Sequence, residues 1–178
     1  MKSLLNQNIY SNDWVKDFYT QAGIWWGDDP QDVGTHSARA AIINRLCGSG
    51  KKRILELGAG SGRTAAFLAD SGHDVVAVEL NPTDAAYARP LMQVKRSGSL
   101  EYHQADFYSV QLIGKFNFIT CWQVFGIGSD ADQRLLLDRI AQEWLAPGGI
   151  VLLEVYHPAG SMRDSGKEWH LDALEGVP

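Results

Sequence analysis

Three glycines and two acids carry the chemistry legible in this sequence. Glu56-Leu57-Gly58-Ala59-Gly60-Ser61-Gly62 sets glycines at alternate positions directly after the apolar run 53–57. Glycines in such a turn adopt backbone conformations closed to residues with a Cβ, and they let a ligand approach the chain closely. Glu79 ends the next apolar run, 21 residues after Gly58. A carboxylate there can accept hydrogen bonds from both hydroxyls of a ribose, so the pair points to a nucleotide-type ligand. A dinucleotide site prefers G-x-G-x-x-G, with the pyrophosphate resting on the helix N-terminus. Here the spacing is G-x-G-x-G and Arg63 stands where the third dinucleotide glycine would be, which disfavours an NAD-dependent oxidoreductase. A tight strand-to-helix turn without a ligand is the remaining alternative.

The flanking segments must place that turn. Trp14, Val15, Phe18 and Tyr19 recur at helical spacing and predict an amphipathic helix over 11–22, ended by Gly23. A second helix is expected over 35–47 and stops at Gly48. Strands are expected over 53–57, 74–80, 100–105, 116–122 and 150–155, with the β-branched run 74–80 buried on both faces. Asn81-Pro82 opens one intervening helix, proline at its first position costing no hydrogen bond, and Pro90 is expected to kink or split it. Ser129-Asp130-Ala131-Asp132 opens another, with Leu137, Ile140, Ala141 and Trp144 as its buried face, and Pro147-Gly148-Gly149 is expected to stop it. Strands alternating with helices imply right-handed parallel βαβ units. The fold class is therefore α/β, a doubly wound, mostly parallel Rossmann-like sheet with helices on both faces.

Four segments in order resemble the class I S-adenosylmethionine-dependent methyltransferases of small molecules. Ile54-Leu55-Glu56-Leu57-Gly58-Ala59-Gly60-Ser61-Gly62-Arg63 is similar to their first motif, and 75–82 to their second-strand motif with its ribose-binding acid. Gln104-Ala105-Asp106-Phe107 resembles the segment after the third strand, and Leu145-Ala146-Pro147-Gly148-Gly149 the turn before the fifth. The resemblance covers about residues 50–157. It implies S-adenosyl-L-methionine as cofactor, with the backbone of Gly58, Ala59, Gly60 and Gly62 beside its methionine half and Glu56 fixing the turn or the amino group. Glu79 would hold the ribose, Leu80 would pack on the adenine, Asp106 would accept from the adenine amino group and Phe107 would lie on the ring. Loop-cap and core-packing roles for Asp106 and Phe107 are the structural alternatives.

Trp122 and Gln123 after the fourth strand, and Tyr156 and His157 after the fifth, are expected to face the methyl acceptor, with Trp25 joining them from an aromatic N-terminal lid (Tyr10, Trp14, Tyr19, Trp25, Trp26). Phe125-Gly126-Ile127-Gly128 resembles a loop of small-molecule members. Trp122 could flank the sulfonium, since aromatic faces attract cations, or simply pack. If a general base is used, His157 is the first candidate by location, ahead of His103 and His36.

Composition narrows the partners. The 178 residues carry a formal net charge of -5 with 45% hydrophobic residues, as a globular domain does, and without the concentrated basic surface that nucleic acid backbones call for. No Asn/Asp-Pro-Pro-aromatic tetrapeptide follows the fourth strand, where Cys121-Trp122-Gln123-Val124 stands. No run reaches the ~18 apolar residues of a membrane span, the N-terminus turns polar at Asn6, and Cys47 and Cys121 read as reduced core thiols, so a cytoplasmic protein without a metal site is expected. The division expected is a helical lid over 1–48, a cofactor-binding core over 49–157 and a tail over 158–178 within one structural domain. After His157 only 21 residues follow, fewer than the ~30 a further βαβ unit takes. Gly160 to Lys167 reads as a loop, and Glu168 to Leu174 as at most a short strand or helical turn. The family's last strands are then lacking, and the fifth strand is an exposed edge awaiting a second copy of the chain or a missing C-terminal part. A cofactor-binding module without turnover of its own is the second functional reading.

Overall fold

A parallel sheet of five strands orders the chain. The computed structural model describes Val15 and residues 17–19, 33–155 and 157–166. The unbroken apolar runs form β1 (Arg53–Leu57) and β2 (Asp74–Glu79), both buried on two faces, as central parallel strands are. With β3 (Ser99–Gln104), β4 (Phe116–Cys121) and β5 (Leu145–Leu153) the spatial order is β3-β2-β1-β4-β5, and every pairing is parallel. The order reverses between β1 and β4. Open α/β sheets take their ligands at such a switch point, beyond the carboxyl ends of the strands.

Helices cover both faces, as expected. On one, Ala40 and Ile43 of α1 (Val33–Cys47) and Ala65, Leu68 and Ala69 of α2 (Arg63–Asp70) close over Ile54, Val75, Ala77 and Phe118. On the other, α4 (Asp130–Asp138) and its π-helical continuation Arg139–Trp144 bring Leu136, Ile140 and Trp144 onto Leu55, Leu57, Val76 and Ile119. Between β2 and β3, α3 (Pro82–Met92) starts at Asn81, whose side chain accepts from the Thr83 amide at 2.9 Å. Ser129 and Asp132 form a reciprocal capping box at the start of α4.

Four local expectations are corrected. Pro90 does not split α3, because it lies two residues before the helix ends at Met92, where few interior hydrogen bonds remain to be lost. The buried stripe of the α4 segment is Leu136, Ile140 and Trp144, whereas Leu137 and Ala141 are exposed. The π turn, with its wider i→i+5 bonding, keeps positions four apart on one side. Pro147-Gly148-Gly149 does not end that helix, which stops at Trp144. It lies inside β5 as a wide bulge, since Phe116 pairs with Leu145 and Phe118 already pairs with Ile150. Finally, Gly160 to Lys167, read as a loop, starts inside a helix, α5 (Pro158–Asp164), which His157 caps and Pro158 opens. Among the described residues β5 is a sheet edge.

Arg139 ties the π-helical segment to the loop between β3 and β4. It is buried, its guanidinium donates to the Phe107 and Val110 carbonyls at 2.7 and 2.6 Å, pairs with Glu143 at 2.8 Å and lies 4.5 Å from the Trp144 ring centre. Charge-assisted bonds are worth ~1.5–3 kcal/mol each and truncation strands the carbonyls. Arg139→Met is therefore expected to destabilise the fold by about 3 kcal/mol in urea denaturation, and Arg139→Lys to recover little of it, because an ammonium lacks the fork. A loss below about 1 kcal/mol would contradict this assignment.

Candidate functional site

The glycine turn is fastened to its neighbours on both sides. The Gly58 and Ala59 amides both donate to the Val78 carbonyl, at 2.8 and 3.1 Å, which binds the exit of β1 to the end of β2. Gly58 has φ 66°, and a Cβ on it would come within 2.6 Å of Val124 Cγ1. Val124 belongs to the loop after β4, so the loops leaving the two switch-point strands meet at Gly58. In front of Gly60 a Cβ would meet nothing within 4 Å. That open side is where a ligand can lie against the backbone.

Glu79 is at the expected place, yet its carboxylate is already engaged. Oε2 accepts from the Gly60 amide at 3.0 Å and Oε1 from the Asn81 amide at 2.8 Å. Each oxygen has further lone pairs for ribose hydroxyls. Glu56 is 2% exposed on β1, and its Oε2 has no hydrogen-bond partner among the described residues. Burial pushes its carboxyl up to about 8, against the opposing pull of the Arg39 charge and the Ala65 amide and with a push from Glu79. The folded chain thus keeps a proton that the unfolded chain gives up above about pH 4.5. Stability from this group is fully present below that pH and is lost as pH rises through 8. Urea denaturation of wild type and Glu56→Gln across pH 5–8 should therefore show a decline with pH that the variant lacks; parallel curves would contradict it.

Arg39 is among the residues that sequence reasoning missed. It projects from α1 with its guanidinium 5.0 Å from the Trp122 ring centre and 3.5 Å from Glu154 Oε2 at the end of β5. One face of Trp122 thus already carries a cation, and the indole Nε1 is buried with no partner among the described residues. Nothing in the local pattern of α1 marks Arg39, whose significance comes from strands β4 and β5 far along the chain. Gln123 follows with φ 59°, the one non-glycine residue in the left-handed region among those described. Such strain concentrates at functional sites.

On the β3 side, Asp106 Oδ1 accepts from the Tyr108 amide at 2.9 Å, a loop-capping bond. Phe107 packs on the α4-side core with its ring centre 4.7 Å from that of Tyr108, while Leu80 is half-buried after Glu79. The Tyr108 hydroxyl donates to the Ile127 carbonyl at 3.1 Å. Gln133 donates to the same carbonyl and accepts from the Gly126 amide at 2.9 Å. Tyr108 and Gln133, unmarked in the sequence reading, hold the Phe125–Gly128 loop.

The candidate bases are dispersed. His157 is exposed and its Nδ1 accepts from the Ala159 amide at 3.2 Å as the cap of α5, which leaves the proton on Nε2. His36 Nδ1 lies 2.9 Å from Thr64 Oγ1, and His103 Nε2 lies 2.8 Å from Glu101. Trp25 and Tyr156 fall outside the described residues. Both cysteines are free, no group of metal ligands occurs among the described residues, and no described helix is long and apolar enough to cross a membrane.

The sequence model of a methyltransferase-domain family matches residues 35–177. This chain belongs to the methyltransferase-domain family. It is a class I, S-adenosylmethionine-dependent methyltransferase domain, as the four motifs implied. The ubiquinone biosynthesis O-methyltransferase of Pseudomonas aeruginosa is 24% identical over 144 residues, 78% of this chain and 60% of that protein. The methyltransferase domain thus spans less than two thirds of the length of the curated relatives it matches. The glycopeptide N-methyltransferase MtfA, solved with S-adenosyl-L-methionine, superposes with TM-score 0.58 at 25% identity over 66% of this chain and 53% of that one. CcbJ methyltransferase from Streptomyces caelestis, at TM-score 0.60 and 24% identity over 69% of this chain and 50% of its own, shares the fold.

Proposed function

We propose that this chain transfers the methyl group of S-adenosylmethionine to a small-molecule acceptor at the carboxyl ends of β1, β2 and β4. The observation that carries the reading is Glu79, fixed by the Gly60 and Asn81 amides beside the open face of Gly60. The residues present fit the cofactor. An orphaned buried carboxylate oxygen on Glu56 suits an ammonium, the fixed carboxylate of Glu79 suits ribose hydroxyls, and the open backbone face of Gly60 suits the methionine chain between them.

S-adenosylmethionine supplies an electrophilic methyl group on a sulfonium. The protein's contribution is to hold it and the acceptor in attack geometry, which by itself can supply several kcal/mol of the barrier, of the order of 7–11 in well-oriented systems. Glu79 accepts from the ribose hydroxyls, Asp106 from the adenine amino group, and Leu80 and Phe107 border the ring. The backbone of Gly58, Ala59, Gly60 and Gly62 runs beside the methionine half, and Glu56 meets its ammonium, whose charge offsets the burial that raises the Glu56 carboxyl. Arg39, whose 3.5 Å pair with Glu154 is long, supplies the positive charge for its carboxylate. Trp122 and Gln123, with Trp25 and Tyr156, border the acceptor. His157 can act as a base only after giving up its cap on α5.

Residues 49–157 form the cofactor-binding core in this reading. Segment 1–48 is its lid, α1 packing on the sheet through Ala40 and Ile43, and 158–178 is a tail. Free thiols at Cys47 and Cys121 fit a reducing, cytoplasmic compartment. The net charge of -5 favours a small acceptor over a nucleic acid. The test is release of S-adenosylhomocysteine from S-adenosylmethionine with cell extract divided by size. Turnover with the fraction of small molecules is expected, and turnover with the macromolecular fraction alone would contradict the proposal. A cofactor-binding module without turnover is the second reading, favoured by the dispersal of the described candidate bases, and release with neither fraction would support it.

A further inference from the structure

We infer that Tyr102 of β3 is a positioning residue for the cofactor, its phenol holding the Gly60 peptide in the orientation that faces the ligand. The inference rests on the placement of the cofactor proposed above and adds a residue that touches neither cofactor nor acceptor. Tyr102 pairs in register with Ala77 of β2, whose small side chain leaves room for the ring to lie over the sheet. From there the hydroxyl donates to the Gly60 carbonyl at 2.6 Å. The ring edge also abuts Gly62, where a Cβ would come within 3.3 Å of Cδ2 and Cε2.

Gly60 is thereby held from both sides. Its amide donates to Glu79 Oε2 at 3.0 Å and its carbonyl accepts from Tyr102. Gly60 needs this clamp more than another residue would: it sits at φ 51° with open space before it and no side chain to anchor it. A peptide beside glycine rotates at little steric cost, so its direction is set by whatever bonds it. The same Glu79 that is to receive the ribose holds the peptide on the other side of Gly60, so rotation about Gly60 reaches the ribose site through it. Burial, together with the carboxylates of Glu79, Asp84 and Glu56, pushes the phenol well above its ordinary range, so it stays a donor at any working pH.

Tyr102→Phe keeps the ring against Gly62 and removes only the donor. Calorimetric titration of wild type, Tyr102→Phe and Tyr87→Phe with S-adenosylhomocysteine, at a temperature well below every melting point, tests the idea. Tyr87 is an exposed α3 tyrosine and serves as the control. The expected result is a dissociation constant raised about five- to tenfold in Tyr102→Phe alone, the worth of one neutral hydrogen bond, with its Tm within about 4 °C of wild type. Affinity within twofold of wild type overturns the inference, as does a loss matched by Tyr87→Phe; a fallen Tm with unchanged affinity would leave Tyr102 a packing residue. Failure of wild type itself to bind is a different outcome, which overturns the cofactor placement and this inference with it.

Discussion

Glu79→Ala is expected to weaken S-adenosylhomocysteine binding about 100-fold, measured by calorimetry. The carboxylate is assigned two bonds to the ribose and makes two to the chain, at Gly60 and Asn81. Hydrogen bonds to a charged group contribute ~1.5–3 kcal/mol, and 100-fold corresponds to about 2.7 kcal/mol. Four partners share one carboxylate, so the effect is not their sum. Glu79→Gln separates the contributions: its amide keeps one acceptor oxygen, and about tenfold should return. Because Asn81 also caps α3 through Thr83, the alanine variant is expected to lose about 1 kcal/mol of fold stability as well. An alanine variant that binds within threefold of wild type would remove Glu79 from the ribose.

Gly58→Ala is expected to cost about 3 kcal/mol of stability in urea denaturation and to abolish measurable cofactor binding. Two penalties act together. A side chain at φ 66° costs about 1–2 kcal/mol, and the new methyl would stand 2.6 and 2.7 Å from the two Val124 methyl carbons. Valine is short and branched, so its methyls cannot swing aside, and overpacking of this kind costs ~1–3 kcal/mol. Adding Val124→Ala should recover the contact part and leave the backbone part, a coupling of about 1–2 kcal/mol in the double-mutant cycle. Strict additivity of the two substitutions would show that the loops after β1 and β4 do not meet at Gly58.

The comparison of sequence with structure divides along contact range. β1, β2 and β4 were legible because central parallel strands must be apolar on both faces. The glycine turn, the caps at Asn81 and Ser129 and the position of Glu79 were legible because each is a local bargain between a side chain and nearby backbone. Arg39, Tyr102 and Arg139 were not. Arg39 meets Glu154, Tyr102 meets Gly60 and Arg139 meets Phe107 and Val110 only after the sheet has assembled, and no periodicity encodes such meetings. The misplaced stripe at Leu137 and Ala141 has a different origin. A 3.6-residue period was applied to a segment whose last six residues are π-helical.

The central claim is that the turn from Gly58 to Gly62, with Glu79, is a site for S-adenosylmethionine and not for a dinucleotide. Calorimetric titration of the unmodified chain with S-adenosylhomocysteine and, in parallel, with NAD tests it most directly. Micromolar affinity for S-adenosylhomocysteine and none for NAD is the predicted result. Binding of NAD, or no binding of S-adenosylhomocysteine by a chain that is folded at the temperature of the titration, would contradict it.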